Sequence, residues 1–184
     1  MDDKYILTVI IPSYNNDQYI ERCLKSIINQ SIKNIKIIIV DDGSTDTSLD
    51  IIQKYTKKYN NIEYYTSKRQ GPGMARNIGI TNCNTKYVTF IDSDDWIDLN
   101  AYKKCVDLLE CQPQCDVAVI GIMTEYDSYM LFQKRYTYEN ENIIDSNLAL
   151  SLLTDMYNYS ERISPLVGNK IYRSNLIIDN NILF

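Results

Sequence analysis

Three aspartates fall within four positions in FIDSDDW, where Asp92, Asp94 and Asp95 follow directly on the apolar run YVTFI. Carboxylates that close repel one another, so positive charge or water must accompany them. Asp92 and Asp94 are two apart, which in an extended segment points both side chains the same way. Two hard oxygen ligands on one side suit Mn2+ or Mg2+, ions that keep waters and substrate phosphates in their remaining positions. The competing interpretation is a solvated acidic turn that caps the helix expected near Leu99.

Three more polar clusters punctuate the same half of the chain: PSYNN at 12–16, DDGSTD at 41–46 and KRQGPGMARN at 68–77. In DDGSTD, Gly43 and Ser44 make a turn, and Ser44, Thr45 or Asp46 caps the helix that follows. That accounts for the last four residues but not for paired aspartates at a strand end. A carboxylate there can accept from a base imide N–H or a ribose hydroxyl. In GPGMARNIG the glycines allow a tight turn into a helix whose N-terminus favours anions. Lys68, Arg69 and Arg76 add positive charge, although each alone also reads as an ordinary surface residue. The spacing is not G-x-G-x-x-G, and no Walker A sequence occurs.

The elements that must position these clusters alternate. Residues 5–11 form a β-rich run, and 17–29 carry Ile20, Leu24, Ile27 and Ile28 at helical spacing. Branched residues run almost unbroken over 35–40, as in a strand buried on both faces. A helix over 46–59, a strand over 62–66, a helix over 73–81 and a strand over 87–91 follow. A helix over 99–110 and one strand over 116–123 come next. Beyond these the pattern weakens: a hairpin or excursion over 126–138, a helix over 145–157, a strand over 167–173 and a short helix over 174–181. This order predicts an α/β fold with a mostly parallel twisted sheet and flanking helices. Ligands gather at the carboxyl ends of such strands, where three of the four clusters fall, with the fourth close after the third strand.

The 184 residues suit one domain, with 45% apolar and 23% charged residues. A net charge of −5 with scattered Lys and Arg argues against nucleic acid as a partner. No apolar stretch reaches the roughly 20 residues of a membrane span. Histidine is absent, which removes histidine bases and ligands and leaves oxygens or thiolates to hold a metal. The odd count of five cysteines, without C-x-x-C, reads as reduced thiols in a cytoplasmic protein.

Taken together in this order and spacing, VIIPSYNN, IIIVDDGSTD, GPGMARNIG and FIDSDDW resemble family 2 glycosyltransferases of the GT-A fold. The resemblance is strong over 8–96 and extends more loosely through GNKIYRSNL. It implies a Rossmann-like sheet, a nucleotide-diphosphate-sugar donor (often UDP-linked), a divalent cation and transfer with inversion to a glycan or lipid-linked acceptor. By position, Pro12 and Tyr14 would line the base pocket, and Asp42 would face the base with Asp41 supporting it. Asp92, Ser93 and Asp94 match the D-x-D. Asp92 would lie toward the ribose or metal waters, and Asp94 on the metal. Arg76 and Asn77 match a segment near the donor. Residues 1–98 would then bind donor and metal, and 99–184 would begin the acceptor side. A bacterial surface polysaccharide is the implied product, made in the cytoplasm or at the inner membrane face, with peripheral membrane association of the full-length protein.

Inverting transfer also needs a general base near the acceptor hydroxyl. Similar enzymes carry it in an acidic motif shortly past a segment like NKIYRSNLIIDNNILF, so the expectation is a truncated chain whose base lies beyond Phe184. Glu110, Asp116, Glu125, Asp127 and Asp155 do not match that motif. Tyr126, Tyr129, Tyr136, Tyr138, Tyr157 and Tyr159 could stack on an acceptor sugar or simply pack. The alternatives are a nucleotide-sugar-binding module without turnover and a sugar-1-phosphate nucleotidyltransferase. The latter would want a glycine-rich loop after the first strand, where PSYNN has none. A receiver domain would place its acidic pair after the first strand, not the second.

Overall fold

The computed structural model describes residues 4–126, 129–133, 145 and 166–184. In chain order come β1 (Leu7–Ser13), α1 (Ile20–Ile28), β2 (Ile35–Asp41), α2 (Ser48–Lys58), β3 (Ile62–Thr66) and α3 (Pro72–Thr81). They are followed by β4 (Tyr87–Phe90), α4 (Ala101–Cys111), β5 (Val117–Val119), β6 (Ile122–Tyr126) and β7 (Tyr129–Gln133). β8 (Lys170–Arg173) and α5 (Ser174–Ile178) complete the described elements.

Every residue of β1 and β2 is buried, because both faces of the sheet are covered. Strand alternation divides the core in two. Val9, Ile11, Ile37 and Ile39 join Leu24 of α1, Ile52 of α2 and Leu109 of α4 on one face. Ile10, Ile38, Val40 and Phe90 join Ala75 of α3 and Ile177 of α5 on the other. Helix α3 lies almost flush on the sheet: a Cβ on Gly79 would fall 2.3 Å from Ile10 Cγ2.

The six-stranded sheet has the order β3-β2-β1-β4-β8-β5. β1 through β4 are parallel where they pair, and β8 runs antiparallel between β4 and β5. The chain builds outward from β1 to β3, then crosses back to place β4 on the other side of β1. That reversal opens a crevice at the carboxyl ends of β1 and β4.

Several expectations shift. The strand expected over 116–123 is two: β5 belongs to the main sheet, whereas β6 pairs with β7 in a separate antiparallel hairpin. The break falls at Ile120, whose N–H donates to the Asn169 carbonyl at 2.7 Å. Val167–Asn169 form a 3-10 turn rather than strand, so that Gly168 comes against the Phe90 carbonyl, within 3.5 Å of where its Cβ would be. Helix α2 starts at Ser48 because the Asp46 carboxylate stays outside it, accepting the N–H groups of Ser48 and Asp17 at 3.0 and 3.1 Å. The helix expected over 145–157, the end of the hairpin segment and the side chains of Glu125, Asp127, Asp155 and the six tyrosines lie outside the described residues.

Candidate functional site

The loops after β1 and β2 are locked together. Asn15, at φ +50°, accepts the Thr45 N–H at 2.8 Å, and its own N–H donates to Ser44 Oγ at 3.0 Å. Asn16 N–H donates to Ser48 Oγ, and Thr47 Oγ1 donates to Asp17. Asp41 closes the second loop on itself, accepting from the Ser44 hydroxyl at 2.5 Å and the Ser44 N–H at 3.1 Å. Gly43 takes the left-handed conformation that this turn requires, at φ +78°.

Asp42 reaches the other way, toward the approach to α3. Its Oδ1 accepts from the Ser67 hydroxyl and from the Gln70 N–H, and its Oδ2 from the Gly71 N–H. Burial works against the charge of this carboxylate, but those hydrogen bonds outweigh it and hold the pKa below the ordinary range. Gly71, at φ +90°, turns its N–H to Asp42 and opens α3 with Pro72 in the first turn.

Beyond β4 the chain does not continue extended. Asp92–Asp95 form a turn closed by the Asp95 N–H to the Asp92 carbonyl, 3.0 Å. The expectation that both carboxylates share a side by strand alternation is therefore replaced: the turn itself presents Asp92 and Asp94 to one crevice. Charge crowding is met by two arginines. Arg76 pairs with Asp92 Oδ1 at 2.6 Å, and Arg22 donates to the Asp94 carbonyl at 3.1 Å while packing on Trp96. Asp95 is exposed as a residue, yet its carboxyl is pushed up, first by desolvation and then by Asp94 and Asp92. Beneath the turn lies Cys23, whose thiol burial keeps protonated.

The resulting crevice has a volume of about 490 Å³. Pro12, Tyr14, Asp42, Arg69, Arg76, Asp92, Ser93 and Asp94 line it, so most of the residues singled out in the sequence meet there. Arg69, at φ +51°, lays its guanidinium over the Tyr14 ring at 5.0 Å. Three expected members stand elsewhere. Asp41 is buried and occupied by Ser44, Lys68 is exposed away from the lining, and Asn77 bonds to Phe184. Conversely, Asn16 lines the crevice and donates to Ser93 Oγ at 2.5 Å, and Ser67 braces Asp42. Asn16 had a signal, since it sits in the polar cluster that ends β1; Ser67, one residue before KRQGPG, had none.

The donor set fits a hard divalent cation. Asp94 is exposed on the crevice, and among the described residues nothing hydrogen-bonds its carboxylate. Asp92 keeps a side chain 51% exposed beside its arginine. No cluster of three or more acidic or thiol ligands occurs among the described residues. A cation held by one or two carboxylates, with water and phosphate oxygens completing the shell, matches that arrangement.

A mostly parallel sheet carrying an aspartate-lined crevice at its switch point defines a GT-A-type protein. Residues 8–166 match the family model for glycosyl transferase family 2, and the chain belongs to that family. It is 36% identical over 185 residues to the glycosyltransferase GlyA of Streptococcus pneumoniae, covering 96% of this chain and 25% of that protein. It is 30% identical over 183 residues to TarS of Staphylococcus aureus, a poly(ribitol-phosphate) beta-N-acetylglucosaminyltransferase, covering 96% and 29%. The crystal structure of S. aureus TarS 1-349 in complex with UDP-GlcNAc superposes with a TM-score of 0.75 at 28% identity, over 97% of this chain and 48% of that one. A mannosyltransferase from Pyrobaculum calidifontis, solved with GDP-Man and Mn2+, shares the fold at TM-score 0.58 and 22% identity, over 65% of this chain and 36% of that one. The chain thus spans between a quarter and a half of the length of these proteins. No helix among the described residues is long and apolar enough to cross a membrane.

Proposed function

We propose that this chain is the donor-binding core of an inverting glycosyltransferase, which takes a sugar from a nucleotide-diphosphate donor, UDP-linked, and passes it to an acceptor hydroxyl in bacterial surface polysaccharide synthesis. The observation that carries this reading is the meeting of Asp42, Arg69, Arg76, Asp92 and Asp94 on one crevice at the β1–β4 switch point. The UDP-GlcNAc complex of TarS supports the choice of donor.

Tyr14 and Arg69 form an aromatic and cationic wall for the base. Asp42 Oδ2 receives the Gly71 N–H and retains capacity for a second donor, an imide N–H or a ribose hydroxyl. Asp94, with Asp92, would hold Mn2+ or Mg2+. A cation there would supply positive charge opposite the departing diphosphate. Arg76 pairs with Asp92 and offsets part of the repulsion at this turn. The protein is assigned to the cytoplasm, at the inner membrane face if the acceptor is lipid-linked.

One observation favours a second reading, a donor-binding module without turnover. Asp42 and Asp92 are engaged in hydrogen bonds and, on this reading, Asp94 would hold the cation, which leaves the described carboxylates of the crevice with donor-side roles and none assigned as general base.

Calorimetric titration with UDP, with and without Mn2+, tests the donor site. Binding that needs Mn2+ and disappears in Asp94→Ala, with an unchanged melting temperature, supports it. Equal binding by parent and variant, or none by the parent to UDP or GDP, overturns it. Turnover of a UDP-sugar with an acceptor separates enzyme from module.

A further inference from the structure

Asn77 matches a donor-side motif by sequence, yet it is not among the residues lining the crevice and its carboxamide grips backbone. Its Nδ2 donates to the Phe184 carbonyl at 3.0 Å, and its Oδ1 accepts the Phe184 N–H at 2.9 Å. One side chain thereby engages the N–H and a main-chain oxygen of a single residue 107 positions away. The approach is permitted by Gly73, where a Cβ would lie 3.2 Å from both the carbonyl carbon and the oxygen of Phe184.

That clamp sets where the Phe184 ring goes. The ring meets Phe90 edge-on, with centroids 5.0 Å apart, and the Arg76 guanidinium lies 6.0 Å from its centre. Arg76 in turn holds Asp92 at 2.6 Å in the crevice wall. Its Nε is buried and has no hydrogen-bond partner among the described residues. An arginine with an orphaned donor does not prefer that pose unaided, since the unpaired group loses its hydration. The Asp92 pair on one side and the Phe184 ring on the other keep it there.

We propose that Asn77 is a positioning residue: by clamping the Phe184 backbone across the first turns of α3, it seats the Phe184 ring against Arg76 and fixes the Arg76–Asp92 pair at the crevice. The consequence for nucleotide binding rests on the donor-site reading; the positioning of Arg76 does not.

The test compares the parent with Asn77→Ala, Phe184→Ala, their double variant and Gly73→Ala. The last replaces a helical glycine by a better helix former, so folding is retained while the added methyl crowds the Phe184 main chain and forces it to shift. Two quantities are read in each: Mn2+-dependent UDP affinity, and the 15N resonance and exchange rate of the Arg76 Nε–H. The expected result is an about tenfold loss of affinity in each single variant, the scale seen when groups supporting a metal site are removed. The double variant should be no weaker than the singles, because both cut one linkage. The Arg76 Nε–H should move and exchange faster in all four. An unchanged Arg76 resonance in Asn77→Ala and Gly73→Ala overturns the proposal, as does full additivity in the double variant. If the parent binds neither UDP nor GDP, the donor-site reading falls, and the Arg76 resonance alone decides the positioning.

Discussion

The Asp42 carboxylate accepts the Gly71 N–H at 2.7 Å, joining the residue just past the end of β2 to the glycine that opens α3. With the Gln70 N–H at 2.8 Å and the Ser67 hydroxyl, this one carboxylate organises the whole approach to the helix. Its position at the crevice and its role in the loop are therefore inseparable.

Replacing Asp42 by Ala should destabilise the protein by about 1–3 kcal/mol, because three hydrogen bonds to a charged acceptor are lost. Nucleotide affinity should fall with and without Mn2+. Urea unfolding and calorimetry together check this; a variant with parental stability would show that the donors find water instead.

Acid should expose the same interaction. The folded pKa of Asp42 lies below its ordinary value, and so does that of Asp46, whose charge burial opposes and the Ser48 and Asp17 donors favour. Below the unfolded-state value, about pH 4, the unfolded chain binds more protons than the folded one. Stability from these two groups is thus full above that pH and is lost as the pH falls through their folded pKa values. Melting temperatures between pH 6 and pH 2.5 should drop less steeply in Asp42→Ala than in the parent.

Asp94→Ala should leave the fold intact, with a stability change within about 0.5 kcal/mol, since the side chain is exposed. The near absence of a stability effect, measured beside a loss of Mn2+-dependent binding, distinguishes a ligand from a structural residue.

Gly79→Ala should cost about 1–3 kcal/mol, because the new Cβ would sit 2.3 Å from Ile10 Cγ2 in a close-packed layer. Ile10→Ala made in the same chain should recover part of that loss. Thermal unfolding of the two single variants and the double variant gives the coupling directly.

Much of the fold was legible because burial on both faces writes itself as continuous branched runs. IKIIIVD and LTVIIPS announce two central strands, and the amphipathic spacing of Ile20, Leu24 and Ile27 announces α1. The polar clusters that end these runs are visible for the same reason, since a strand buried on both faces stops where charged residues begin. The division of 116–126 into β5 and β6 was not legible. It depends on a hydrogen bond from Ile120 to Asn169, a residue 49 positions away, and local preference carries no trace of it.

The same distinction runs through the site. Sequence alone determined which residue types gather at the strand ends, because side-chain chemistry and strand periodicity are local properties. Tertiary structure decided their partners. It committed Asp41 to Ser44, turned Asp42 toward Gly71, paired Arg76 with Asp92 and withdrew Asn77 to Phe184. Apart from the Asp41–Ser44 turn, these contacts join residues 16 to 107 positions apart. Each depends on which elements the sheet brings together, and the Arg76–Asp92 pair forms only where β4 lies beside β1.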